Sequence, residues 1–320
     1  MRVRCGYVCS RLWRRTSLRI AVGTGTGLLL LLFYVPSVRL PSLWCTMGTL
    51  EAVGARILAR GPTVYVVTPT YRRANQAPVL VRLSQTLMLA EVRIFWVVVE
   101  EGERPSTLVR DVLRRSGLAG VHLASRTPSK FRRIKHGMFV ARRMRAIEWL
   151  RDNAVLPSVL YFAKEDNSYD HRLFAQIAQV QRVGVFPVAL TGAYNVSSPL
   201  VSRHGRVVGF HEPSEPGRRF AMDLAGFAVN MRLVLSSASP NISSDLDQVA
   251  TVFLESLGVT VDDLEPLASN CTEVLVWRTK MIQAKFPQEK LLRSPNITPP
   301  NNLPLLYKNI RAEETYNAEK

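Results

Sequence analysis

Four apolar runs rich in β-branched residues, each separated from the next by a stretch of helical spacing, constrain this chain's fold more than any other feature. They are TVYVVTPT (63–70), EVRIFWVVVEE (91–101), GVHLAS (120–125) and SVLYFA (158–163). Near-continuous apolar strands must be covered on both faces, which points to a parallel sheet. Between them, 76–90 carries Val79, Leu80, Leu83, Leu87 and Leu89, 105–116 reads as a helix, and 137–152 has Val140, Met144, Ile147 and Leu150 on one stripe. A helix over 171–181 and a strand VFPVAL (185–190) follow. This alternation predicts an α/β fold, a mostly parallel sheet flanked by helices, with ligands at the carboxyl ends of the strands. That edge would carry Pro69–Tyr71, Glu100–Glu101 and Lys164–Asn167. The chain after Thr191 reads as a more irregular lobe on the same sheet.

The 320 residues carry a net charge of +17, and much of it is local. Arg2, Arg4, Arg11, Arg14, Arg15, Arg19 and Arg39 lie in the first 39 residues, which contain no acid. Ile20 to Val38 is a run without a charge, and at about 1.5 Å per residue it is just long enough to cross a bilayer. Six arginines before it and one after it place the N-terminus in the cytosol and the rest across the membrane. A cleaved signal peptide with Leu28–Phe33 as its apolar core is the rival reading. The expected layout is a cytosolic basic tail (1–19), a transmembrane signal anchor (20–38), a stem (39–61), a lumenal domain (62–285) and a flexible C-terminal tail (286–320).

Lumenal exposure agrees with glycosylation sequons at Asn195, Asn241, Asn270 and Asn296, the last hindered by Pro299. Four cysteines do not make a disulfide framework. Cys5 and Cys9 would suit palmitoylation, Cys45 a bridge between two chains, and Cys271 a buried thiol. A short tail, one anchor, a stem and a large lumenal domain is the layout of Golgi glycosyltransferases.

The strand SVLYFA ends in Lys164, Glu165, Asp166 and Asn167. A Mn²⁺ or Mg²⁺ ion takes hard oxygen ligands and bridges to phosphates, so Asp166, helped by Glu165, could hold one against a diphosphate. The same residues could equally form a turn that caps the helix of the 170s. Lys164 is a cation where a metal would be repelled. The stretch 125–145 holds eight Lys or Arg residues. They read as a solvated loop or as arginines reaching a nucleotide phosphate or anionic sugar. Nucleic acid is not expected of a lumenal domain. The chain has no Gly-x-Gly-x-x-Gly loop, no His-Glu-x-x-His and no Cys-x-x-Cys pair, which removes dinucleotide, zinc-hydrolase and P-loop chemistry.

Six segments, VYVVTPTYRR (64–73), LVRLSQTL (80–87), VLYFAKEDNSY (159–169), GRVVGFHEP (205–213), FAMDLAGFAV (220–229) and DLEPLASNCTEVLVW (263–277), occur in the order and spacing of one family. Over residues 62–280 the chain resembles the β-1,3-glucuronosyltransferases. The resemblance implies a type II Golgi enzyme with the nucleotide-sugar transferase fold of the GT-A type. Such an enzyme moves glucuronate from UDP-glucuronate to the terminal galactose of a glycan such as the proteoglycan linkage region, with inversion and using Mn²⁺. It also implies a homodimer.

Carried over by residue, the resemblance assigns Pro69, Thr70 and Tyr71 to the uridine-binding turn and Glu101 to the uracil contact. Arg143 matches an arginine that reaches the nucleotide, and Met138 stands where the family has another. Asp166 matches the manganese ligand, the last residue of an acidic triplet that reads Lys164, Glu165, Asp166 here. Arg278 and Lys280 replace a histidine and an arginine that hold phosphates. Arg218 and Asp223 match acceptor-side residues, and Ser197 replaces an acceptor-lobe glutamate. The family's general base falls on Ala250. An alcohol needs a carboxylate to take its proton; Asp245, Asp247 or Glu255 could do so, and Asp247 is the candidate. Two other readings stay open: a degraded member that binds UDP or glycan as a partner or scaffold, and a transferase for another sugar.

Overall fold

The computed structural model describes residues 61–134, 136–191, 195–211 and 218–279. The expected tail, anchor and stem up to residue 60, Asn296, Lys280 and the C-terminal tail lie outside the described residues. Among the described residues, no helix is long and apolar enough to cross a membrane.

The four apolar runs form β1 (Thr63–Thr70), β2 (Ile94–Glu101), β3 (Ala119–Ser125) and β4 (Ser158–Phe162), paired in parallel in the order β4-β1-β2-β3. Every residue of β1 is buried, because alternate side chains serve two different cores. Val64, Val66, Trp96 and Val98 pack with Leu80, Leu83 and Leu87 of α1 (Gln76–Leu89) and Val109 of α2 (Thr107–Ser116). Tyr65, Val67, Val97 and Val99 pack with Ile147 and Leu150 of α3 (Gly137–Asn153). Each such side chain withdrawn from water contributes about 1.5–3 kcal/mol, enough to account for the absence of in–out alternation.

Helix α2 is bounded by local chemistry. Ser106 caps it, its hydroxyl accepting from Val109 N at 3.3 Å, and Gly117 ends it at φ 64°, where a side chain would be strained. Ser106→Ala should lower unfolding free energy by about 1 kcal/mol. Urea titration reads this, and an unchanged midpoint would show the cap to be idle.

The acidic turn does not cap a helix. It leads into a short strand, β5 (Asn167–Tyr169), and the next helix, α4 (Arg172–Ile177), is shorter than its apolar pattern. VFPVAL is not one strand either. Proline has no N–H for a ladder, and at Pro187 the run divides into β6 (Val183–Val185) and β7 (Val188–Ala189), which join different sheets.

The half after Thr191 is more regular than its sequence suggests. β8 (Val196–Val201) and β9 (Val207–His211) extend a second sheet. β10 (Phe227–Asn230) enters the large sheet antiparallel to β4 and β6. α5 (Met231–Ser236) and α6 (Val249–Ser256) then precede β11 (Leu264–Pro266) and β12 (Val276–Arg278). The outcome is a mixed α/β fold with a seven-stranded sheet, β11-β6-β10-β4-β1-β2-β3, and a five-stranded sheet, β5-β12-β7-β8-β9.

The crossing from β11 to β12 runs through Ala268–Cys271, four successive non-glycine residues with φ of 51° to 60°. Each costs about 1–2 kcal/mol. The turn is held by hydrogen bonds from Ala268 N to Gln176 Oε1 and from Cys271 N to Leu267 O, both 2.7 Å.

Candidate active site

The carboxyl ends of β1 and β4 meet loops from the second half around a cavity of ≈ 480 Å³. Of the residues expected to bind donor, Pro69, Tyr71, Arg143, Lys164, Glu165, Asp166 and Arg278 line it. Arg218, Asp223 and Asp247, expected on the acceptor and catalytic side, line the same cavity. Two expected donor residues do not. Thr70 is fully buried and turned inward. Glu101 accepts from Thr127 Oγ1 at 2.8 Å and lines a second cavity of ≈ 560 Å³ that also touches His136 and Met138.

Glu165 is not a helper for a metal. Thr70 Oγ1 donates to its Oε2 and Arg73 Nη1 to its Oε1, each at 2.6 Å, so both oxygens are taken. Burial nevertheless holds its pKa above the ordinary carboxylate range, against the pull of Arg73 and Thr70. The network continues inward, with Gln76 Nε2 donating to Thr70 Oγ1 and to Glu100 Oε1. Burial works to raise the Glu100 pKa, but hydrogen bonds with His122, Ser106 and Gln76 leave it below the usual value. Strand ends β1, β2 and β4 are thus tied by charged hydrogen bonds out of water's reach.

The backbone of the acidic turn is held at every carbonyl. Tyr169 OH donates to Lys164 O at 2.8 Å, and Arg82 Nη2 to Glu165 O and Asn167 O at 3.2 and 3.3 Å. Thr279 donates to Asp166 O through its N at 3.0 Å and its hydroxyl at 2.8 Å. The Asp166 carboxylate makes no hydrogen bond or ion pair to another described residue and faces the cavity.

Lys164 Nζ donates to both oxygens of Asp223 at 2.7 Å. Burial works to raise the Asp223 pKa, and Lys164 with the Ala225 N–H overrides it and leaves the group below the usual range. Ser197 is buried and accepts from Asp223 N at 3.1 Å, so it supports the site from behind.

Arg143 is 4% exposed. Its Nη1 donates to Phe139 O at 3.1 Å, its guanidinium lies 3.5 Å from the Phe139 ring centroid, and its Nε has no partner. Burial, then the neighbouring Arg142, pushes its pKa down to about 9. A buried cation with an idle donor at a cavity wall calls for an anionic ligand. Arg73 and Arg142, which were not foreseen, flank the Tyr71 ring at 4.2 and 5.5 Å, and Arg142 Nη1 donates to Thr70 O at 2.9 Å. Tyr71 itself is 43% exposed at the cavity wall.

Ala250 lies on α6, 2% exposed, within the hydrophobic core. Glu255 points to Arg219 at 3.9 Å and Asp245 Oδ1 accepts from Asp247 N at 3.1 Å. Of those three acids only Asp247 lines the main cavity, its carboxylate 4.0 Å from Arg218 Nη1, which also donates to the Asp247 carbonyl. Asn195, Asn241 and Asn270 are all exposed. Cys271 is a half-buried free thiol, its pKa pushed up to about 11 by burial.

Among the described residues, no three His, Cys, Asp or Glu side chains come together as a metal site. With Glu165 bound to Arg73, Asp223 bound to Lys164 and Asp247 beside Arg218, Asp166 is, among the described residues, the one carboxylate of this cavity without a cation partner. That does not fit a resident divalent ion, which takes six or more oxygens.

Residues 83–282 match the sequence model of glycosyltransferase family 43. Galactosylgalactosylxylosylprotein 3-beta-glucuronosyltransferase S of Drosophila melanogaster is 38% identical over 251 residues, or 78% of this chain; the chain spans 61% of that relative's length. Galactosylgalactosylxylosylprotein 3-beta-glucuronosyltransferase 3 of Mus musculus is 42% identical over 255 residues, covering 72% of this chain and 74% of the relative. Among solved structures, S. aureus TarS 1-349 in complex with UDP has 12% identity and a TM-score of 0.42, covering 68% of this chain and 60% of that one. By its sequence this chain is a member of glycosyltransferase family 43.

Proposed function

We propose that the chain transfers glucuronate from UDP-glucuronate to a terminal galactose of a glycan, with inversion, on a fold of the GT-A type. The carrying observation is that residues of the expected donor and acceptor sets line one cavity. The half-exposed Tyr71 side chain would contact the base, and Arg143 and Arg278 would hold the diphosphate. In the reaction the acceptor hydroxyl oxygen forms a bond to the sugar C1 as the C1–O bond to the diphosphate breaks. The electron pair of that bond leaves on UDP, and the hydroxyl proton passes to the Asp247 carboxylate. Arg143, Lys164 and Arg278 stabilise the charge gathering on the diphosphate. The lumenal side of the Golgi membrane, a single-pass anchor at 20–38, occupied sequons and a homodimer complete the proposal.

The test is to measure UDP binding, then transfer from UDP-glucuronate to a galactose-terminated acceptor. Binding with turnover supports the proposal, and binding without turnover from any UDP-sugar sinks it. A second reading, a UDP- or glycan-binding partner or scaffold, is favoured by Ala250 at the expected base position. Turnover with a different UDP-sugar alone would mark a transferase for that sugar.

A further inference from the structure

We infer that this cleft binds the diphosphate of its nucleotide without a divalent metal, Lys164 supplying as a fixed cation the charge that a metal would bring. The inference rests on the proposed donor reading and goes beyond it by removing the metal requirement.

Charge balance carries the first part. The cavity is lined by Arg73, Arg142, Arg143, Lys164, Arg218 and Arg278 against Glu165, Asp166, Asp223 and Asp247. That is a surplus of two positive charges. With a carboxylate at position 164 the lining would be neutral, so this one residue changes the balance by the charge of one divalent ion. Compensation of a diphosphate is thereby built into the chain.

Geometry carries the rest. Two of the three Lys164 N–H donors are used by the Asp223 oxygens at 2.7 Å, which fixes the ammonium and leaves one donor for a ligand. The side chain keeps 22% exposure, so the group is reachable from the cavity. Arg143, buried and with an idle Nε, is a second donor aimed at an anion. Arg278 lines the same cavity as Lys164 and Asp223, a third cation on its wall. The two acids that could have joined Asp166 around a metal are already bound to cations.

The experiment is calorimetric titration of the full chain with UDP, in Mn²⁺ and in chelator. Equal affinity in the two conditions is expected. For Lys164→Asp, affinity in chelator should fall on the order of 10²-fold and Mn²⁺ should restore it, whereas Lys164→Arg, which keeps the charge, should lose much less in chelator. If Lys164→Asp fails to fold, Lys164→Gln is read for the same loss in chelator, beside the parent comparison. Parent binding that appears only with Mn²⁺ overturns the inference and leaves the donor reading standing. No UDP binding in either condition overturns both.

Discussion

Asp247→Asn is expected to slow sugar transfer by about 10²–10⁴-fold while UDP affinity stays that of the parent. The attacking group is an alcohol, and a positioned carboxylate within hydrogen-bond reach is what makes it a nucleophile. Ala250 has no group to accept a proton and is 2% exposed in the core. Asp245 is engaged by Asp247 N and Glu255 faces Arg219, so neither is turned to the cavity that holds Asp166 and Asp223. Asparagine keeps the size of the side chain, and the hydrogen bond from Arg218 goes to the backbone carbonyl, which the substitution leaves in place. The loss should therefore fall on kcat rather than on KM. Asp245→Asn, which touches the same loop but not the acceptor, should cost much less. Full activity in Asp247→Asn would mean that the proton goes elsewhere.

The first four strands were legible because each is long, apolar and closed by a turn, and the helices between them cover both faces. The second sheet was not, since three of its five strands, β5, β7 and β12, are only two or three residues long. So short a segment has no period to read. Nothing local announces the left-handed turn at Ala268–Cys271 either, because none of its residues is glycine. In the site, the position of Tyr71 and Asp166 on one cavity follows from strand ends, where sequence is informative, while Arg143, inside α3, came from the resemblance alone. What each carboxylate touches does not. Glu165 meets Arg73 across 92 positions and Asp223 meets Lys164 across 59. Such pairs are set by which strands become neighbours, and they turned two prospective ligands into partners of cations. Lys164, which looked like damage beside a metal, becomes interpretable only with Asp223 in view.

Arg73→Ala should destabilise the protein by about 3–5 kcal/mol, seen as a lower urea midpoint. Arg73 and Glu165 side chains are 10% and 8% exposed and 2.6 Å apart, so removing the guanidinium strands a carboxylate in a place water barely reaches. Thr70 alone cannot compensate it, since one neutral hydroxyl offers one hydrogen bond to one oxygen. The second variant in the cycle, Arg73→Ala with Glu165→Gln, should recover most of the loss, because it removes the buried charge itself. The pH dependence has a definite sign. Burial already holds the folded-state pKa of Glu165 above its value of 4.5 in the unfolded chain, with Arg73 opposing that rise. Without Arg73 it rises further, so the folded state prefers the protonated acid more strongly. The deficit of Arg73→Ala should therefore be fully present above the variant's folded pKa and shrink as pH falls through it toward the parent's own raised pKa, below which both folded proteins bind the proton. A deficit that stayed constant over that range would place its origin in lost packing of the arginine stem rather than in a stranded charge.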